Sequence, residues 1–328
     1  MNVTETHNTV ETAAPRWYRF QFFGKGSDYF AIVITNFILS VFTLGLYYPW
    51  ARVNTLKFLY EHTELDGSRF SFTGTGKELF VGFLKLYALL VGFYIAIVIC
   101  AIQQETALFQ LLLLLFYVGL LALIPFAIHA ALKYRTAKTT WRNIRMGYRG
   151  DRSELIAICV KGMLLTIITL GIYSPWFTIQ LRRYLISNIR FGDVRFSYLG
   201  DGGDYFVLLL KGYFLTVITL GLYLPWFAKE RINYLIQQTD LHLDDATSSG
   251  RSAIKGLDYL ILTVTNLFLI LFTFGIGTPW AIMRSYTFII NNIAFAGDVN
   301  LDQATQTEGN YSDAAGEDAL DMLDVGII

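Results

Sequence analysis

The sequence predicts an all-α integral membrane protein built from tandem repeats of about 50 residues. First, 54% of the 328 residues are hydrophobic and 16% are charged, whereas soluble domains usually carry about 25% charged residues. Second, mostly apolar runs of about 20 residues recur, and such a run can cross a bilayer as a helix. Third, a motif of the form TLGxYxPW recurs near the ends of these runs. Its copies are TLGLYYPW at 43–50, TLGIYSPW at 169–176, TLGLYLPW at 219–226 and TFGIGTPW at 273–280.

The chain divides into a leader, one polytopic membrane domain and a tail. Residues 1–16 are polar and predict a disordered leader without the apolar stretch of a signal peptide. Residues 302–328 are acidic and predict a flexible tail. The membrane domain is predicted to cover residues 17–301. Its repeat units lie at about 19–68, 69–144, 145–194, 195–249 and 250–301.

Each unit is predicted to begin with a spanning helix. An acidic residue precedes each apolar run, where a carboxylate suits the positive end of the helix dipole. These residues are Asp28, Glu78, Glu154, Asp204 and Asp258. In four units, the fifth position of the motif lies 19 residues after the acidic residue. This position is Tyr47, Tyr173, Tyr223 or Gly277, and the distance corresponds to about 28 Å of helix. The second unit is interpreted as a helical hairpin at 78–132 that has lost the motif, which brings the expected spans to six with up to four further short helices.

The Pro-Trp pair of each motif is predicted to stop the spanning helix and to anchor it at the membrane interface. These residues are Pro49, Trp50, Pro175, Trp176, Pro225, Trp226, Pro279 and Trp280. About 14 residues with a polar face follow each pair, which predicts a short amphipathic helix. Two arrangements remain open for this helix: it lies flat in the interface, or it folds back beside its span. The similarity of the units favours the second.

Short alternating stretches between the units predict small β-hairpins at the membrane surface. They occur at 63–72, 188–198 and 292–301. The glycines that precede each spanning helix are interpreted as turn residues. A phosphate-binding loop is disfavoured because no βαβ pattern surrounds them.

The candidate site consists of polar residues inside the apolar runs. Lys85, Lys161 and Lys211 each lie seven residues after the opening acid, about 10 Å along the helix. The corresponding positions of the first and last units carry Thr35 with Asn36, and Thr265 with Asn266. A lysine at this depth costs several kcal/mol unless it meets water, a partner or the interface. Snorkelling lysines, pairing with carboxylates and a shared polar cavity remain open as interpretations.

The cavity interpretation predicts a small anionic solute or a lipid headgroup as the ligand. Its expected rim consists of Lys57, Arg183 and Arg231. A transporter or channel-like protein is then the first hypothesis, and a non-transporting membrane scaffold that binds lipid or a membrane-protein partner is the second. The oligomeric state is left open. No nucleophile–base–acid set and no metal-ligand spacing is visible, so we expect no enzyme activity, metal or cofactor. The net charge of zero gives no argument for nucleic acid as a partner.

The combination of repeated motifs resembles a known bacterial family. A stretch of the form FxGxGxxYF, as in RFQFFGKGSDYF at 19–30 and RFSYLGDGGDYF at 195–206, precedes TLGxYxPW and an aromatic–arginine stretch. This order is similar to that of the YjgN-like inner-membrane family, a domain of unknown function, over about residues 17–300. The resemblance implies a multi-pass protein of the bacterial cytoplasmic membrane, and it implies no activity.

Overall fold

The computed structural model describes residues 15–103 and 106–307. Within these residues the order strand, helix, helix, strand occurs five times. Residues 1–14 and 308–328, which hold most of the predicted leader and tail, lie outside the described residues.

Across the described part of the chain, ten short strands form one closed antiparallel barrel. Each strand pairs with the next one along the chain, and β1 pairs with β10 to close the ring. The strands are β1 (Arg16–Phe22), β2 (Thr63–Leu65), β3 (Ser68–Phe72), β4 (Thr139–Trp141), β5 (Ile144–Tyr148), β6 (Ile189–Phe191), β7 (Val194–Tyr198), β8 (Thr239–Leu243), β9 (Ala246–Ser252) and β10 (Ile293–Gly297).

The barrel is apolar inside and polar outside. In β1, Tyr18 is buried whereas the neighbouring Arg19 is exposed, as the two-residue period of a strand requires. Buried residues from strands all around the ring share one apolar cluster, which can form only in the barrel interior. The cluster includes Tyr18, Leu65, Trp141, Phe191, Val194, Leu241 and Leu243. The outer wall carries exposed arginines, such as Arg69, Arg195 and Arg251, and therefore suits water rather than lipid.

The prediction of an all-α fold with separate surface hairpins is wrong. The predicted hairpins at 63–72 and 188–198 exist as local pairs, β2 with β3 and β6 with β7, but they join edge to edge into the barrel. The stretch at 292–301 supplies a single strand, β10, which pairs with β9 and β1. The strands are only three to seven residues long, so each gives a weak sequence signal. The pairing that closes the ring joins Arg16 to Gly297, and no local pattern could reveal it.

The helices form hairpins that begin and end at the barrel. They are α1 (Gly26–Phe42), α2 (Tyr48–Glu61), α3 (Gly76–Ile102), α4 (Thr106–Ala137), α5 (Arg152–Ile168), α6 (Ser174–Ser187), α7 (Gly202–Ile218), α8 (Leu224–Gln237), α9 (Gly256–Phe272) and α10 (Thr278–Asn291). Each second helix packs against the first helix of its pair and leads back into a strand. Of the two arrangements that the sequence leaves open, the structure therefore has the one in which the second helix folds back.

The hairpins stand side by side in a ring, which the packing of α10 against α1 closes. Each Trp of the motif lies against the glycine that begins the first helix of the next hairpin. A Cβ added to Gly26, for example, would fall 2.4 Å from the indole ring of Trp280. The other pairs are Trp50 with Gly76, Trp176 with Gly202 and Trp226 with Gly256.

Within this ring the second helices lie inside and the first helices lie outside. Arg135 of α4 donates a 3.1 Å hydrogen bond to the Tyr60 hydroxyl of α2, although α3 lies between these helices in the ring. Likewise, Tyr286 of α10 forms a side-chain hydrogen bond with Thr63, which directly follows α2 and its cap. Side chains of second helices can meet in this way only near the ring axis. We therefore call α2, α4, α6, α8 and α10 the inner helices, and α1, α3, α5, α7 and α9 the outer helices.

The six predicted spans are also corrected. In the described residues, only α3 and α4 are both long enough and apolar enough to cross a membrane. The other outer helices have 17 residues, about 25 Å, because the Thr of each motif already ends the helix. The sequence estimate counted the turn that follows as helix.

The second hairpin, which has lost the motif, keeps a proline at the position equivalent to those of the other hairpins. Pro125 lies inside α4, 14 residues before Thr139 at the start of β4. Pro49, Pro175, Pro225 and Pro279 stand at the same distance from the first residues of β2, β6, β8 and β10. Of the Pro-Trp pair, the Trp is replaced by Phe126, and the Thr, Gly and Tyr of the motif are also absent before Pro125.

The segment after β10 closes the end of the barrel that lies away from the helices. Val299 and Leu301 are buried in the interior cluster. The Tyr18 hydroxyl donates to the Val299 carbonyl and accepts from the Leu301 amide, both at 3.0 Å. Farther along, Thr305 binds the carboxylate of Asp193 in the β6–β7 turn. The described start of the predicted tail is therefore attached to the barrel.

Candidate functional site

The polar residues of the fourth hairpin line a cleft of about 480 Å³ between α7 and α8. From α7 it receives Asp204 and Lys211, and from α8 it receives Lys229, Glu230 and Asn233. Two ammonium groups and two carboxylates thus share one open groove. Its remaining walls come from Val207, Leu208, Tyr234 and Gln237.

This cleft opens on the outer surface of the helix ring. α7 contacts α6 through Gly202, which meets Trp176, and it contacts α8 through Gly212, which meets Phe227. Lys211 lies on neither contact and is exposed. Because α7 is an outer helix, its exposed side faces away from the ring axis.

Lys85 and Lys161 occupy the corresponding exposed positions of α3 and α5. The three lysines belong to different outer helices around the ring, so they do not converge on one central cavity. What they share is their height above the barrel and an outward direction. In the described residues, a cleft is seen beside one of these lysines, Lys211.

In the fifth hairpin, the positions that correspond to Lys211 and Glu230 are joined by a hydrogen bond. Arg284 of α10 donates a 3.0 Å hydrogen bond to the Thr265 hydroxyl of α9. Thr265 corresponds to Lys211, seven residues after the opening acid, and Arg284 corresponds to Glu230, five residues after the proline. Thr35 of α1 is exposed at the same place in the first hairpin.

Asn36 and Asn266 do not lie at the outer surface of the helix ring. Both are buried, and their side chains contact the inner helix of their own hairpin. The Asn36 amide donates to the Ala51 carbonyl, and the Asn266 amide donates to the Ala281 carbonyl, each at 3.2 Å. They act as helix–helix contacts.

The predicted rim residues are bound to neighbouring protein groups. Arg183 donates a 2.7 Å hydrogen bond to the Gly200 carbonyl, just before α7. Arg231 reaches the Tyr205 hydroxyl at 3.4 Å and lies over the Phe227 ring. Lys57 is half-buried on α2. None of the three lines the cleft between α7 and α8, where the basic residue of the inner helix is instead Lys229.

The barrel-side end of the cleft is held by the cap of α7. The Asp201 carboxylate accepts hydrogen bonds from the amides of Gly203 at 2.7 Å and Asp204 at 3.2 Å. The bonds from the Asp204 and Gly203 amides lower the pKa of Asp201. This carboxylate therefore stays ionised at neutral pH, next to the entrance of the groove.

Sequence reasoning missed the partnership between the two helices of a hairpin. The polar face at five, eight and twelve residues after each proline was visible in the sequence, as were the lysines on the preceding helix. The antiparallel return of the inner helix places Glu230 opposite Lys211, and that register was not considered. In the described residues, no group of His, Cys, Asp and Glu could hold a metal ion.

Comparison with known proteins places the chain in a family. The family model described as bacterial protein of unknown function (DUF898) matches residues 17–196, 194–247 and 246–322. The chain belongs to this family. Similar proteins include the inner membrane protein YjgN of Escherichia coli O157:H7, 33% identical over 131 residues, which are 40% of this chain and 31% of the relative. The inner membrane protein YjgN of Salmonella typhimurium is 24% identical over 210 residues, 53% of this chain and 51% of the relative.

The matched regions thus span about a third to a half of the length of these curated relatives. Their shared name supports an inner-membrane location for this DUF898 protein. No solved structure matches the chain.

Proposed function

We propose that this chain is a multi-pass inner-membrane protein whose outer grooves bind phospholipid headgroups, and that it acts as a non-catalytic membrane scaffold. The observation that carries the proposal is the cleft between α7 and α8, which faces outward and combines Lys211 and Lys229 with Asp204 and Glu230. Both signs of charge in one groove suit a zwitterionic headgroup, which carries a phosphate and an ammonium.

The order of the charges along α7 supports this ligand. Asp204 lies at the barrel end of the helix, and Lys211 lies about 10 Å farther into the apolar part. In a phospholipid the phosphate is nearer to the acyl chains than the ammonium is. Lys211 therefore meets the phosphate and Asp204 meets the ammonium, while exposed Phe214 and Val217 contact the chains. A lysine stem at this depth reaches the headgroup level readily.

The distribution of basic residues orients the protein with the barrel in the cytoplasm. None of the 26 Lys and Arg residues lies in the segments that join the two helices of a hairpin, which are 43–47, 103–105, 169–173, 219–223 and 273–277. All basic residues therefore stand on the barrel, on the helices or in the short segments that join the two. The positive-inside rule assigns the basic side of a membrane protein to the cytoplasm.

A passage for a small anionic solute along the ring axis is the second candidate. Arg135 and Arg182 favour it, because they lie on inner helices and each has a buried Nε without a hydrogen-bond partner. Arg182 also lies over the ring of Tyr198, a buried barrel residue. This candidate does not need the outer lysines.

Replacing Lys85, Lys161 and Lys211 together by Met tests the headgroup proposal. We expect the amount of phosphatidylethanolamine that stays bound in native mass spectrometry to fall about tenfold, which corresponds to about 1.4 kcal/mol. The Asp204→Asn variant should weaken phosphatidylethanolamine more than phosphatidylglycerol, because only the former carries an ammonium. The matched control replaces Lys25, Lys77 and Lys255, which lie beside the helix starts, by Met.

Uptake of inorganic phosphate into proteoliposomes separates the two candidates. Lipid binding that survives in the triple variant, together with lost phosphate uptake, would refute the scaffold and support a solute pathway that uses the lysines. Phosphate uptake that is lost in an Arg135→Gln, Arg182→Gln variant but kept in the lysine variant would support the axial passage.

A further inference from the structure

The helical hairpins that carry the TLGxYxPW motif end in exposed apolar tips. The residue after the Thr of each motif is among the most exposed of the chain, at 81% for Leu44, 93% for Leu170, 94% for Leu220 and 96% for Phe274. No charged residue lies in these tips. Large apolar side chains presented together at the end of a hairpin indicate an apolar surrounding.

The backbone of each tip is bonded within the tip itself. In the fourth hairpin, the amides of Thr219, Leu220, Gly221 and Leu222 all donate to carbonyls of the same turn or of the preceding helix. The Tyr223 amide donates to the Thr219 hydroxyl at 3.0 Å. The same Thr bond recurs at Tyr47, Tyr173 and Gly277. A turn of this kind leaves no amide for water to satisfy, which removes one cost of placing non-helical backbone at membrane depth.

The motif supplies the residues that this turn requires. Gly221 has a φ of +93°, and the corresponding glycines at 45, 171 and 275 also have positive φ. Pro225 stands in the first turn of α8, where no amide is needed. The recurrence of TLGxYxPW is therefore explained by a turn whose amides are bonded within the hairpin and whose most exposed side chains are apolar.

The lengths of the helices divide the hairpins into two classes. α7 has 17 residues, about 25 Å, and α3 has 27 residues, about 40 Å. If the first 10 Å up to the lysine lies at headgroup depth, about 15 Å of α7 and about 30 Å of α3 remain. Only the latter matches the hydrocarbon thickness of about 30 Å.

The tip of the longest hairpin has a different chemistry. The residues between α3 and α4 read QQE at 103–105, which are polar and include a carboxylate. This sequence suits water on the far side of the membrane. The additional length of α3 would carry this segment across the hydrocarbon region to that side.

We infer that the hairpins α1–α2, α5–α6, α7–α8 and α9–α10 are re-entrant. They enter the bilayer from the barrel side, and their tips contact the hydrocarbon interior. The hairpin α3–α4 alone among the described elements crosses the whole membrane. The partner of the exposed tips is thus the acyl-chain region of the lipid bilayer.

Single cysteines at a short tip and at the long tip test this inference in the full chain. Leu220→Cys and Gln103→Cys are each treated with a membrane-impermeant maleimide, in right-side-out spheroplasts and in inverted membrane vesicles. Cys100 and Cys159 are buried, so the parent chain gives the background. We expect Gln103→Cys to react only in spheroplasts and Leu220→Cys to react at least about tenfold more slowly in both preparations. In detergent micelles with a permeant maleimide, both should react, since Leu220 is exposed in the fold.

Reaction of Leu220→Cys in spheroplasts at the rate of Gln103→Cys would overturn the inference, because the short hairpins would then cross the membrane. Reaction in inverted vesicles would also overturn it, because the tips would then lie outside the bilayer. Either result would leave the headgroup proposal to its own lipid-binding measurement, so the two proposals can fail separately.

Discussion

Replacing Gly212 by Leu should strongly destabilise the fourth hairpin. A Cβ at this position would fall 2.0 Å from the Phe227 ring of α8, so the two helices must separate to admit any side chain. Overpacking of this kind costs about 1–3 kcal/mol or more, and here the buried Phe227 ring has to be displaced. We expect a lower melting temperature in detergent and a lower yield of monodisperse protein in size-exclusion chromatography.

A compensating pair of substitutions provides the control for this prediction. Where the outer helix carries Asn, as at Asn266, the inner helix carries Ala, as at Ala281, and the two are hydrogen-bonded. Where the outer helix carries Gly212, the inner helix carries Phe227. The double variant Gly212→Asn, Phe227→Ala should therefore be more stable than Gly212→Asn alone. Equal stability of these two variants would contradict the proposed pairing.

Replacing Trp141 by Ala should destabilise the barrel by about 3–5 kcal/mol, the usual cost of such a truncation in a core. Trp141 is 1% exposed. Its indole N–H donates to the Ser68 carbonyl at 2.9 Å and to the Leu65 carbonyl at 3.2 Å. Its ring also makes an edge contact with Phe191, with 5.3 Å between the ring centroids. The substitution thus removes packing and leaves a cavity between β2, β4 and β6.

The matched control is Trp17→Ala, since Trp17 lies on β1 and is 52% exposed. Thermal unfolding followed by circular dichroism should show a large shift for Trp141→Ala and a small one for Trp17→Ala. Similar shifts for both variants would show that the barrel interior does not determine the stability.

The starts of the second helices could be predicted from local sequence, whereas the closed barrel depends on long-range pairing. The prolines at 49, 175, 225 and 279 indicated where the second helices begin, because proline is favoured in a first helical turn. The barrel was not predictable in the same way. Tyr18 meets Val299 only because β1 and β10 pair, and alternation over a few residues cannot specify such a partner.

The sequence identified residues of the candidate site but not the side of the helix ring that they face. The sequence singled out Lys211 and the polar face that contains Glu230. It could not show that the inner helices meet at the ring axis, as Arg135 and Tyr60 do. For that reason the sequence could not show that Lys85, Lys161 and Lys211, which were expected to share a polar cavity, are exposed on the outer helices. The equivalence of Pro125 to the motif prolines was also missed, because Phe126 stands where the other hairpins have Trp.

The central claim is that the barrel stands in the cytoplasm while α3 and α4 carry the chain across the membrane. The most direct test labels Arg195→Cys, on the outer wall of the barrel, and Gln103→Cys, between α3 and α4. With an impermeant maleimide, Arg195→Cys should react only in inverted vesicles and Gln103→Cys only in spheroplasts. Reaction of both cysteines from the same side, or protection of Arg195→Cys by lipid in both preparations, would contradict this arrangement.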